Sequence, residues 1–313
     1  MLLGALALVA VLVAGVAAAG GAFATRVSWV ALERPGTAPD PEFADASDTV
    51  YLFAGADSGI ERPRSDSQYT DDPDAPARAD ILLLVRLAAN GDVAALSLPR
   101  DTIATGYDMP VRYAIARLDG PQHLVDAICA GTGIAVDRYV EIDGGGFEAA
   151  IDALGGLQLD IPEPLRDPAA RLEIDVAGPR TVDGATALAL VRSRHAERFV
   201  DGRWIPRTED EGALDRMQWS SAVLGAVREK LAGADPLTLA RVAWASSDAL
   251  TVGGGIHPEE VRRLAGSSFD AQTIPTEMLG DDLSRSLREE GRAVIGAAGF
   301  DTSCRLEGAA GVR

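Results

Sequence analysis

The chain opens with an unbroken apolar run, Leu2 to Ala24, that carries no charge and little besides Leu, Ala, Val and Gly. A helix needs roughly 20 apolar residues to cross a bilayer, so residues 1–25 are expected as a transmembrane anchor. A signal peptide is the alternative, because Ala22-Phe23-Ala24 resembles a cleavage site and no Lys or Arg precedes the run. Glu33 to Asp48 is rich in Pro, Asp, Gly and Ala with no apolar period, and residues 26–48 read as a linker.

The folded part is expected to begin near Thr49. Thr49 to Ala54 reads as a short strand running into a loop of small residues, Gly55 to Gly59, and Ile60 to Ala79 as an exposed excursion crowded with Asp, Pro, Arg and Ser. Ile81 to Leu87 is a continuous apolar run of strand length, which suits a strand covered on both faces. Asn90-Gly91 turns the chain, and Val93 to Leu98 follows as its hairpin partner. Helical and strand periods then alternate: a helix over Pro121 to Ala130, a strand over Arg138 to Ile142, a helix over Phe147 to Leu154 and a strand over Leu157 to Ile161. Asp183 is placed to cap a helix running through Leu188 and Val191. After a polar stretch from Glu197 to Gly212, an amphipathic helix shows the stripe Leu214, Met217, Leu224, Val227 and Leu231. Residues 49–232 are expected as one α/β domain core. Residues 233–313 are expected as a largely helical extension packed on it, with helices near Leu237 to Ala249, from Pro258 and over Leu283 to Ile295, and a short strand near Phe269 to Ile274.

Composition changes this picture in two ways. With 313 residues and a formal net charge of −18, the chain lacks the basic face that nucleic acid requires. A polyphosphate ligand would therefore need a local arginine cluster, and Lys230 is the only lysine. Cys129 and Cys304 lack the spacing of a zinc site or a redox pair; in an exported chain they form either one long-range disulfide or two buried thiols.

Candidate chemistry gathers where elements end. Asp57 stands at the mouth of the first strand. Arg78-Ala79-Asp80 enters the second, and Leu98-Pro99-Arg100-Asp101-Thr102 leaves the third, so hairpin pairing makes Asp80 and Arg100 neighbours. Val191-Arg192-Ser193-Arg194-His195 ends a helix, and Arg216 lies near the start of the next. Asp57 and Asp80 suit a hard cation such as Mg2+, which takes oxygen ligands and shares them with phosphates. Arg100, Arg192, Arg194 and Arg216 suit a pyrophosphate, whose oxygens accept planar guanidinium forks. Plainer roles exist for each: a surface ion pair between Arg100 and Asp101, helix-end charges at Arg192 and Arg194, a turn former at Asp57, and a structural imidazole at His195, for which no Ser or Cys partner is apparent.

In this order the motifs resemble the LytR-CpsA-Psr family. Phe53-Ala54-Gly55-Ala56-Asp57 resembles its strand ending in Gly-x-Asp, and Arg78-Ala79-Asp80 before Ile81 to Val85 its Arg-Ser-Asp entering a strand. Ser97 to Thr102 carries its Ser-x-Pro-Arg-Asp-Thr in full. Arg112-Tyr113-Ala114-Ile115-Ala116 with Gly120-Pro121 echoes its Lys-x-Asn-x-Ala stretch, and Phe147 with Asp152 to Gly156 its Gly-Phe segment. Asp183-Gly184 through Arg192-Ser193-Arg194-His195 matches its arginine-bearing helix, with Leu190 where Tyr is common. Two departures stand out. Ala213 occupies the place of an Asp and Asp215 that of a Gly before Arg216. Arg64-Ser65-Asp66 spells the second motif more faithfully, yet no strand follows it.

The resemblance implies a three-layer α/β/α-type domain with a central mixed sheet, on the outer side of a cell membrane behind a single-pass anchor. It implies transfer of a phosphoglycan, of teichoic acid, arabinogalactan or capsule type, from a polyprenyl-pyrophosphate carrier to peptidoglycan. By it Asp57 and Asp80 would bind Mg2+, the four arginines would hold the pyrophosphate, and an apolar pocket would take the polyprenyl tail. A carboxylate, Asp101 or Asp215, would serve the acceptor hydroxyl. A polyprenyl-pyrophosphate phosphohydrolase and a non-catalytic polyprenyl-glycan binding or regulatory protein are the alternatives.

Overall fold

In the computed structural model the described residues are 25–36, 48–57, 78–105, 110–193, 195–255, 257–267, 271–279 and 284–306. The expected anchor, apart from Thr25, lies outside them, as do the excursion up to residue 77 and Arg194. Of Asp57 and Arg216 only the backbone is described. Among the described residues no helix is long and apolar enough to cross a membrane. Two compact units emerge, one of Thr25–Ser58, Pro76–Asp143 and Ala249–Arg313, the other centred on Gly144–Asp248.

The first unit is built on a seven-stranded mixed sheet in the order Ser28–Val30, Leu250–Gly253, Arg138–Asp143, Thr49–Asp57, Arg78–Leu87, Val93–Ser97 and Ala271–Thr273. Thr49–Asp57 runs antiparallel to Arg78–Leu87 and parallel to Arg138–Asp143. Every side chain from Leu82 to Val85 is buried, so both faces of that strand are covered, as its continuous apolar run requires. Leu52, Leu84, Leu96, Leu124, Ile128 and Ile295 belong to one hydrophobic core with the buried rings of Tyr113 and Tyr139. Two strands of this sheet were not expected. Ser28–Val30, inside the presumed linker, pairs parallel with Leu250–Gly253, which in turn pairs with Arg138–Asp143. With three and four residues they are too short for a period of two to register.

Two charge clusters lock this unit. Arg117 grips Glu141 with Nε at 2.6 Å and Nη2 at 2.7 Å, and the Tyr139 hydroxyl donates to the same carboxylate. Arg138 and the Tyr51 hydroxyl both donate to Glu260, tying the Pro258–Gly266 helix to the sheet. Burial, reinforced by the hydrogen bond to Glu260, holds the Tyr51 hydroxyl well above its ordinary pKa. Cys129 and Cys304 form a disulfide with Cα atoms 5.6 Å apart, which settles the choice left open by the sequence.

The second unit contains the helices Gly144–Ala153, Gly184–Arg192, Glu209–Ala232 and Pro236–Ser246. Its small sheets pair Leu157–Ile161 with Gly178–Val182 and order Leu172–Ile174, Leu165–Asp167, Glu197–Val200 and Arg203–Pro206. Asp183 caps the Gly184–Arg192 helix, its side chain accepting from the Thr186 amide at 2.8 Å, and these hydrogen bonds hold its carboxyl below the usual range. Gly184 has no substitute: a Cβ there would lie 2.2 Å from the Glu148 carbonyl oxygen. Asp152 accepts the Gly184 amide at 2.8 Å, so the Asp-Gly pair docks one helix on the next.

Candidate functional site

In the first unit the strand register itself arranges the acidic residues. Gly55 pairs with Ile81 and Ala56 with Ala79, so Asp80 is the extra residue of a β-bulge, and Asp57 follows opposite Arg78. A bulge breaks the alternation of side chains and re-aims one of them. Asp80 and Ile81 are accordingly exposed in succession, between buried Ala79 and Leu82.

The Ser97–Thr102 segment folds onto this edge. Thr102 donates its amide to the Pro99 carbonyl, and the Arg100 and Thr102 carbonyls accept from Ala114 and Tyr113. These bonds bring the strand pair around Ile103 and Arg112 back beside the turn. Arg100 then pairs with Asp80, and its Nε lies 3.7 Å from Asp101 Oδ2. Arg112 Nη1 lies 3.7 Å from Asp101 Oδ1. Two guanidinium groups and two carboxylates thus meet in a half-exposed, charge-balanced cluster. Arg112 was not among the expected site residues, although it stands where the family pattern has a lysine. That basic match was the signal available.

The remaining expected residues belong to the second unit. Arg192 ends the Gly184–Arg192 helix, and Ser193 is its C-cap. Asp167, 1% exposed, anchors the chain beyond that helix: its Oδ2 accepts the Ser193 hydroxyl at 2.8 Å and the His195 amide at 2.9 Å. Oδ1 accepts the amides of Ala169 and Ala170 at 3.0 and 3.2 Å. The chain on both sides of Arg194 is therefore fastened to one buried carboxylate, a role that an Asp in an irregular stretch did not announce. Asp215 Oδ2 lies 2.7 Å from Arg207 Nε, and Arg207 Nη2 also pairs with Glu163. Burial pushes the Asp215 carboxyl up, against the opposing pull of Arg207.

Among the described residues no three His, Cys, Asp or Glu side chains gather as a ready metal cage. The backbone of Asp57 lies opposite Arg78 on the strand next to the one that carries Asp80.

The model of the LytR_cpsA_psr family matches residues 32–251. The probable cell wall biosynthesis protein LcpB of Corynebacterium glutamicum is 28% identical over 80% of this chain and 60% of its own length. The polyisoprenyl-teichoic acid–peptidoglycan teichoic acid transferase TagV of Bacillus subtilis is 28% identical over 47% of this chain and 40% of its own. The chain therefore spans less than two thirds of these relatives. Among solved structures, the LytR-Csp2A-Psr enzyme from Actinomyces oris aligns with a TM-score of 0.68 at 29% identity, over 89% of this chain and 98% of that one. Its mixed sheet with surrounding helices is that enzyme's fold, and with the family model matched across most of its length, the chain belongs to the LytR-CpsA-Psr family.

Proposed function

We propose that this protein transfers a phosphoglycan from a polyprenyl-pyrophosphate carrier to peptidoglycan. The observation that carries the reading is the charge-balanced cluster of Asp80, Arg100, Asp101 and Arg112 at the bulged strand edge. The relative TagV, a teichoic acid transferase acting on peptidoglycan, points the same way. Ion pairs this exposed are worth at most about 1 kcal/mol each. A diphosphate can displace them and accept the same guanidinium forks more strongly.

In this reading Arg100, Arg192, Arg194 and Arg216 hold the pyrophosphate, with Arg112 added to them. Asp57 and Asp80 hold Mg2+, which would neutralise charge on the phosphate oxygens. The transfer asks little covalent chemistry of the protein beyond placing the acceptor hydroxyl and stabilising the departing polyprenyl phosphate. Asp101 lies between two guanidinium groups, whereas the Asp215 carboxyl is raised by burial despite its pair with Arg207 at 2.7 Å. Asp215 is therefore the better candidate to accept the hydroxyl proton. The Leu2–Ala24 run would keep the protein on the outer face of the cell membrane.

Arg100→Ala and Arg194→Ala each abolish transfer of labelled glycan to peptidoglycan while the circular dichroism spectrum and melting temperature hold. Wild-type turnover in both variants removes the arginines from the mechanism. Analysis of products with and without peptidoglycan separates transfer from hydrolysis to water. Retention of a polyprenyl lipid without Mg2+-dependent release would mark a binding protein.

A further inference from the structure

The second unit contains a cavity of about 270 Å3. Asp215, Gln218 and Trp219 line it from one helix at spacings of three and four, the interval that aligns side chains on one face. Glu163 and Arg207 complete the polar lining, and Pro162, Leu165 and Ala196 are its small or apolar members. Arg207 pairs with both carboxylates, yet its Nε is buried without a well-aligned hydrogen bond. Hydrogen-bonding capacity is thus left inside the cavity, and a buried polar group without an aligned partner is costly unless a ligand supplies one.

The chemistry of the lining selects the occupant. Two carboxylates against one guanidinium leave the cavity one negative charge, which repels phosphate and disqualifies it as a pyrophosphate site. Planar carboxylate, amide and guanidinium groups suit adjacent hydroxyls. An indole offers a face to the C–H side of a sugar ring, as Trp219 does among the lining residues. The volume falls just under the roughly 300–1,000 Å3 of drug-sized pockets, so one ring with its substituents fits and a longer chain does not.

We infer that this cavity binds a single uncharged sugar ring of the acceptor glycan through Glu163, Arg207, Asp215, Gln218 and Trp219. The inference rests on the transferase reading and deepens it by giving the acceptor a binding site of its own. Asp215 stands at once in this lining and next in sequence to Arg216, so an acceptor hydroxyl bound here meets the raised carboxyl proposed to take its proton.

The full chain is titrated with N-acetylglucosamine, followed by saturation-transfer NMR on the sugar protons. Binding is expected to saturate and to weaken about tenfold or more in Trp219→Ala and Glu163→Gln, the loss of one well-formed polar or stacking contact. Gln218→Ala, at an exposed helical position where Ala favours the helix, gives the same loss should the others misfold. Inorganic pyrophosphate is expected not to displace the sugar. Unchanged affinity in all three variants, displacement by pyrophosphate, or no binding by the wild-type chain each overturns the assignment. The titration needs no donor: a chain that binds the sugar but turns over no polyprenyl-pyrophosphate glycan sinks the transferase reading alone.

Discussion

Asp80 owes its outward position to one extra residue in its strand. The bulge between Gly55 and Ala56 leaves Asp80 without a partner on Thr49–Asp57, and it stands exposed after buried Ala79. The proximity of Asp80 and Arg100 was legible, because hairpin pairing brings a strand's start beside its partner's end. The bulge was not, since register shifts depend on both strands at once. Arg112 reaches Asp101 through backbone bonds over a dozen residues, which no period reveals. Asp80→Asn keeps the shape and removes the charge. If the bulged carboxylate shares a Mg2+ with Asp57, the Mg2+ concentration for half-maximal transfer rises about tenfold or more, while Asp101→Asn leaves it unmoved. Asp215 gives a second prediction at this scale. Its folded-state pKa is raised by burial, so its charged, proton-accepting form is lost at a higher pH than for an ordinary Asp near 3.9. The acid limb of the kcat profile then falls above that value as pH drops. In Asp215→Asn the limb disappears along with most of the rate; an unchanged acid limb excludes Asp215 as the base.

Strongly periodic or apolar elements announced themselves, and several short ones did not. The Gly184–Arg192 helix was visible from its Asp183 cap and its spacing, and the central strand from its unbroken apolar run. The hairpin of Glu197–Val200 and Arg203–Pro206 was hidden in a polar stretch, because it exposes Phe199, Val200 and Ile205 and so lacks a clean buried face. Its turn was the missed signal: Asp201 and Gly202 both have positive φ, 52° and 78°, the conformation that favours Asp-Gly in tight hairpins. The long helix begins at Glu209, five residues before its apolar stripe, because Thr208 and Glu211 close a capping box. Gly184 shows how tightly an element's start can be specified. Gly184→Ala drives a Cβ into the Glu148 backbone, where no side chain can rotate away. Overpacking of this kind costs about 1–3 kcal/mol, read as a lower urea midpoint with unchanged slope; a midpoint equal to wild type would mean the two helices separate freely.

The first unit depends on a covalent tie across most of the sequence. Cys129 lies in the Pro121–Thr132 helix, and Cys304 lies 175 residues later, near the end of the described chain. The tie is reinforced locally, since the Cys304 amide donates to the Gly133 carbonyl at 2.8 Å. Its reach extends to the candidate site. The chain before Cys304 forms the Glu289–Ala297 helix, whose Ile295 enters the core, and before it the Arg285–Leu287 strand. Arg285 donates its amide to the Asp101 carbonyl at 2.9 Å. The C-terminal segment therefore buttresses the turn that carries Arg100 and Asp101, and its release loosens that turn first. In the chain-entropy account a loop this long is worth up to about 5 kcal/mol, with measured losses of about 2–5 kcal/mol. Cys129→Ser with Cys304→Ser is accordingly expected to lower the unfolding free energy by that range. Hydrogen exchange should show protection lost first over residues 284–306, and then at the amides of Tyr113 and Ala114, which bond to the turn's carbonyls. Uniform loss of protection would make the disulfide a purely global stabiliser. Loss confined to residues 300–306 would break the proposed chain of support between Cys304 and Asp101. The expected order, terminus, then buttressing strand, then turn, reflects one continuous path of bonds within a single unit.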